Sequence, residues 1–171
     1  MKAPPLLPEE TLRRVARIAR FDGISVTAIA GVFALLSAAG HDVSGAVVGV
    51  IVAGAGAVEL HGVTLLHAGE PRAMRWLIGS QFYLLAAILG YVAWRLGSPD
   101  PLMIDAMRKA LTSDQRQVLK ENGVTEAEFL QMMMRLVYFS VGLATMIYQG
   151  SMATYYVRRR AAVLRALEPE I

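Results

Sequence analysis

What most constrains this chain is where its charges are missing. Gly23 to His41 is an uncharged run of 19 residues between Asp22 and Asp42. Val43 to Gly69 holds one formal charge, Glu59. Trp76 to Trp94 is another 19 uncharged residues, closed by Arg75 and Arg95. Leu136 to Val157 is 22, closed by Arg135 and the triplet Arg158, Arg159 and Arg160. Crossing ~30 Å of hydrocarbon takes about 20 mostly apolar helical residues. Four segments meet that length. The sequence therefore predicts an all-α integral membrane protein with four transmembrane helices and an extracytoplasmic helical loop between the third and fourth.

The expected organisation is one membrane domain over 1–171. A basic cytoplasmic helix occupies 1–22, and spans follow at 23–40, 44–67, 75–96 and 132–157. An outer helical loop fills 97–131, and a cytoplasmic tail 158–171. Composition agrees: of 171 residues 55% are hydrophobic and 18% charged, against ~25% charged in a soluble domain. Disorder is excluded, since it needs low hydrophobicity and high net charge. The chain has no cysteine, which excludes disulfides, thiolate catalysis and cysteine zinc sites.

The third span marks its own borders. Trp76 and Trp94 stand roughly 27 Å apart along a helix, so each indole falls near an interface, with Arg75 and Arg95 just beyond to reach the headgroups. The first span also resembles a secretory leader, with Lys2, Arg13, Arg14, Arg17 and Arg20 before it and Ser37-Ala38-Ala39 near its end. The long stretch before its apolar core, carrying Glu9, Glu10 and Asp22, favours an uncleaved helix.

Basic residues set the expected orientation. With the N-terminus inside, inner segments hold 11 lysines and arginines and outer segments 6, so both termini are read as cytoplasmic in the cell's inner membrane. The N-terminal stretch combines Pro4, Pro5 and Pro8 with a basic helix from about Glu9 to Phe21. Leu12, Val15, Ala16 and Ala19 share one face of that helix. It serves either as the positive flank of the first span or as a surface helix on anionic lipid. Nucleic acid is not an expected partner despite the pI of 9.4, because the arginines follow topology and no aromatic residues interleave them.

In the outer loop, Ser98-Pro99-Asp100-Pro101 ends the third helix. Leu102, Met103, Ala106, Met107, Ala110 and Leu111 then form an apolar stripe. It lies on the membrane surface or packs on the protein. Thr112-Ser113-Asp114 restarts a polar helix that Gly123 ends, and Thr125 to Glu128 matches a capping box, so the last helix begins near Glu126; if unbroken to Arg160 it would span roughly 52 Å.

Two features inside the spans carry the functional expectation. Gly45, Gly49, Ala53 and Ala57 recur every four residues, a stripe that lets another backbone come close, within the bundle or across an oligomer. Glu59 is an acid inside a membrane helix, where such groups usually face the interior and mark function. Counted from the cytoplasmic helix ends, Glu59, Gln81, Gln149, Thr27 and Ser25 all fall roughly 7 to 13 Å deep. Thr64 and Tyr148 are close enough to join that polar layer. It either fixes helix register through hydrogen bonds or forms a proton or cation site.

Metal and catalytic readings find no support. Glu59 and His61 are about 200° apart on a helix, HExxH is absent, and His41 with Asp42 reads as a polar turn without a nucleophile motif. Met132, Met133 and Met134 spread around a helix and suit packing better than copper. No cofactor, metal or catalytic residue is expected. The expected partners are the lipid bilayer, further copies of the chain, and an ion or small solute. The leading functional expectation is an oligomeric channel or transport-related protein. A structural or accessory membrane protein that scaffolds partners comes second, and an intramembrane enzyme third.

Overall fold

The computed structural model describes residues 7–98 and 101–168, with side chains omitted at 101–102. Lys2, Pro4, Pro5, Pro99, Asp100 and residues 169–171 lie outside the described residues. Within the described residues there are six helices and no strand: α1 Pro8–Ala39, α2 Val43–His67, α3 Ala73–Gly97, α4 Pro101–Ala110, α5 Ser113–Glu121 and α6 Glu126–Leu167. α1, α2, α3 and α6 are long and apolar enough to cross a membrane.

α1 runs unbroken through Asp22 and Gly23, where two helices were expected to meet. Pro8 sits at its first turn, where a missing N–H is harmless. No proline follows inside it. A lone interior glycine costs only ~1 kcal/mol against alanine, and Gly23 is buried against α2. α1 and α2 are joined by a tight turn in which His41 takes φ 59°. Asp42 caps α2, accepting from the Gly45 N–H at 2.9 Å. α6 continues seven residues past Arg160, because Ala161, Ala162, Leu164, Arg165 and Ala166 all favour helix.

The chain divides into two compact units, one of 1–87 with 146–171, the other of 88–145. In the first, α1 and α2 form an antiparallel hairpin. Gly23 meets Gly56 and Leu60, Thr27 meets Gly56, Ala34 meets Gly49, and Ser37 meets Gly45. Its core gathers Val15, Ala19, Val63, Leu66, Met74, Leu77, Tyr156 and Val163. Large apolar residues such as Phe21, Ile29, Leu35 and Leu36 point outward. Only 22% to 28% of each apolar window is buried inside the protein. Such faces suit lipid, whereas water-soluble monomers rarely expose apolar patches of that extent.

In the second unit, Val92, Met134 and Tyr138 form a small core with Ile88, Tyr91 and Met107. The Tyr138 hydroxyl donates to Met103 Sδ at 3.8 Å. Met103 and Met107 of the α4 stripe thus pack on protein. Thr112 caps α5 in a reciprocal box with Gln115, and Gly123 takes φ +67° just after α5, a conformation that favours glycine.

The start of α6 is held by Thr125 and Glu128. The Glu128 carboxylate accepts from the Thr125 hydroxyl at 2.8 Å and from its N–H at 3.1 Å, while the Glu128 N–H donates to Thr125 Oγ1 at 3.2 Å. These bonds favour the charged form and lower the carboxyl pKa from its ordinary value. The contribution to stability is therefore present above the unfolded carboxyl pKa of about 4.3 and is lost as pH falls through the depressed folded value. In an NMR titration, Glu128 should protonate below the ordinary range, and Thr125→Ala should return its midpoint to that range. An unchanged midpoint in Thr125→Ala would contradict the cap.

Candidate functional site

The polar site lies within the first unit and draws on all four long helices. On α2 the buried positions Gly49, Gly56, Glu59, Val63 and Leu66 follow helical spacing, so Glu59 belongs to the inward stripe. Its carboxyl Oε1 accepts a 2.6 Å hydrogen bond from the Tyr156 hydroxyl of α6. Glu59 is 2% exposed and Tyr156 0%.

A second acid joins it. Asp22, on α1, accepts from the Tyr148 hydroxyl at 2.7 Å through Oδ1 and from Gln81 Nε2 at 3.5 Å through Oδ2. Glu59 lies within interaction range of both Asp22 and Gln81. The site thus contains two carboxyl groups, two phenols and an α3 amide, contributed by four helices. Among the described residues, no lysine, arginine or histidine ion-pairs with either acid. A carboxylate at the centre of a membrane helix costs about 2.5–3.5 kcal/mol on insertion scales. An interhelical hydrogen bond in lipid returns ~0.6 kcal/mol on average, so the Tyr156 bond alone does not offset a charge on Glu59.

Some polar atoms remain without partners. Gln81 Oε1, Gln149 Oε1 and Thr27 Oγ1 are buried with no hydrogen bond. Thr27 Oγ1 lies against Gly56, in the space a Cβ there would take. Such orphan acceptors are the groups that buried water commonly satisfies.

The expected residues divide as follows. Glu59, Gln81 and Tyr148 come together around Asp22, while Gln149 is buried on the same α6 face as Tyr156, seven residues away. Thr64 does not join. It is exposed and donates to the Leu60 carbonyl of its own helix at 3.1 Å. Depth placed Thr64 near Glu59, but five residues rotate a helix by about 140°, which turns it to another side.

The small-residue stripe shows the same effect. Gly45 and Gly49 are buried, Ala53 is half-buried and Ala57 exposed. A four-residue repeat drifts about 40° per step, so the stripe leaves the α1-facing side before Ala57. Gly56, seven residues after Gly49, stays on it. The close approach is taken up inside the chain by α1.

Asp22 and Tyr156 were missing from the expected layer. Asp22 was read as a border because it closes an uncharged run, yet it follows Thr11, Val15 and Ala19 along one buried face. Tyr156 carries no charge to draw notice, and its signal was the seven-residue spacing from Gln149. His61 stacks edge-on against Trp76 at 4.9 Å, and no cluster of metal-ligating side chains occurs among the described residues. Compared with known proteins, the chain matches no family, no curated protein and no solved structure.

Proposed function

We propose that this is a structural or accessory membrane protein, a multi-pass bundle whose four long helices are held in register by the Asp22–Glu59 polar site. The observation that carries this reading is the enclosure and pairing of Glu59. It is 2% exposed, and its Oε1 is bound to Tyr156. A path for solute would instead bring it to a water-filled cavity. The buried bonds Tyr156–Glu59 and Tyr148–Asp22 tie α6 to α2 and α1 and favour one arrangement of helices, leaving the outer faces to lipid and to partner proteins. This reverses the order expected from the sequence, where a channel or transport protein led.

The transport reading keeps one observation in its favour: among the described residues the two interacting acids have no cationic partner, and Gln81, which interacts with both, keeps an unpartnered oxygen. A pair of carboxyl groups can share, take up and release a proton, which is the chemistry of intramembrane proton relays. The proposed orientation remains N-in and C-in, with the positive flanks of α1 and α6 at the inner membrane's cytoplasmic side. Homo-oligomerisation is proposed only through surfaces other than the α1-facing side of α2.

Purified protein in liposomes separates the two readings. For the structural role, the wild type should not dissipate an imposed proton gradient, and Glu59→Gln or Asp22→Asn should lower the unfolding midpoint. Proton flux that disappears in Glu59→Gln, with the midpoint unchanged, would replace the structural reading with transport.

A further inference from the structure

α6 carries a second built surface, away from the acid site. Met146, Ile147, Gly150, Ser151 and Thr154 form the floor of an open depression of about 970 Å³ along α6, which Tyr155, Arg158 and Arg159 also line. The floor is shallow because its middle is small: a Cβ on Gly150 would have nothing within 4 Å. It is also less polar than its composition suggests. Ser151 donates to the Ile147 carbonyl at 2.6 Å and Thr154 to the Gly150 carbonyl at 2.7 Å. Both hydroxyls are thus turned onto their own helix and satisfied there.

The Arg159 guanidinium lies over the Tyr155 ring at 6.0 Å. Among the described residues neither Arg158 nor Arg159 forms an ion pair. Two guanidinium groups therefore stand beside the floor without an anionic partner. From Ile147 to Arg159 the helix rises roughly 18 Å, close to the ~15 Å of one leaflet's hydrocarbon.

We propose that this surface binds one anionic phospholipid, its phosphate held by Arg158 and Arg159 and an acyl chain lying along the floor. Charge selects this occupant over a second copy of the chain. A twofold contact about the membrane normal through this face would set Arg158 and Arg159 against their own copies, placing like charges together. A phospholipid brings the complementary charge and the apolar chain on one molecule. On the proposed orientation the arginines face the cytoplasmic leaflet, where anionic lipids attract basic residues.

The test uses the full chain in detergent micelles, with phosphatidylglycerol or phosphatidylcholine added and retained lipid counted by native mass spectrometry. Phosphatidylglycerol should be retained in preference. A charge-assisted hydrogen bond to a phosphate makes a difference of about tenfold or more in affinity, so Arg158→Gln/Arg159→Gln should lose retention by at least that factor. Arg160→Gln/Arg165→Gln removes the same charge outside this surface and should retain lipid like the wild type. Gly150→Leu fills open space, so the fold should persist while lipid retention falls. Equal loss in both arginine pairs would reduce the effect to general surface charge and overturn the site. So would full retention in Gly150→Leu, or conversion of a dimer to a monomer by that substitution with lipid binding unchanged. Displacement of the lipid by inorganic phosphate alone would also overturn it, since the floor would then contribute nothing.

Discussion

Gly56→Ala is expected to disrupt the α1–α2 hairpin, whereas Ala57→Leu, one residue further on, should leave it folded. A Cβ at Gly56 would lie 2.8 Å from both the Gly23 carbonyl oxygen and the Thr27 nitrogen. These are backbone atoms, so no rotamer change relieves the clash, and the two helices have to separate. Overpacking a tight interior typically costs 1–3 kcal/mol. Here the loss should sit at or above the top of that range, because helices in lipid are held by close van der Waals contact and hydrogen bonds. Separation of α1 from α2 would also pull Asp22 away from Glu59, coupling packing to the polar site. Ala57 is exposed, and a larger apolar side chain there meets lipid. Thermal unfolding in detergent should show a large fall for Gly56→Ala and little change for Ala57→Leu. Equal effects would mean that α2 is rotated from the orientation described.

The second large effect concerns the Glu59–Tyr156 bond. Tyr156→Phe removes the donor and leaves Glu59 Oε1 buried without it, and Glu59→Leu strands the Tyr156 hydroxyl. Leaving one buried polar partner unmatched costs about 1–3 kcal/mol, while removing both together can be nearly neutral. The double variant Glu59→Leu/Tyr156→Phe should therefore be less destabilised than the two single effects combined. Interhelical bonds in lipid give coupling of about 0.6 kcal/mol on average and up to about 1.7 kcal/mol. The 2.6 Å separation and full burial place this pair toward the upper figure. Strict additivity in an unfolding cycle would show that the bond does not tie α2 to α6. Asp22 is the nearest complication, since it also interacts with Glu59, and carrying the cycle in an Asp22→Asn background isolates its share.

These residues show where sequence reading reaches and where it stops. Span length, the tryptophan borders of α3 and the capping signals at Thr112 and Thr125 are local properties, so four long apolar helices and two short ones were legible. Helix continuity at Asp22 was not, because a charge next to a glycine looks like a boundary when only charge is counted. Position along each helix was enough to bring Glu59, Gln81 and Tyr148 to a common level. Rotation about the helix axis separates Thr64 from Glu59 and Ala57 from Gly56, and level along the helix does not register it.

By itself the sequence determined the class of molecule: apolar runs of membrane length admit few structures other than spanning helices, since each backbone polar group must be satisfied within its own segment. It also determined that Glu59 would need partners, because an acid in such a run is costly alone. Only the tertiary structure decided which partners they are. Pairing Glu59 with Tyr156, and Asp22 with Tyr148 and Gln81, depends on residues up to 126 positions apart in the chain. That choice depends on which helix faces meet, and the close approach of Gly49 and Gly56 to α1 helps to set it.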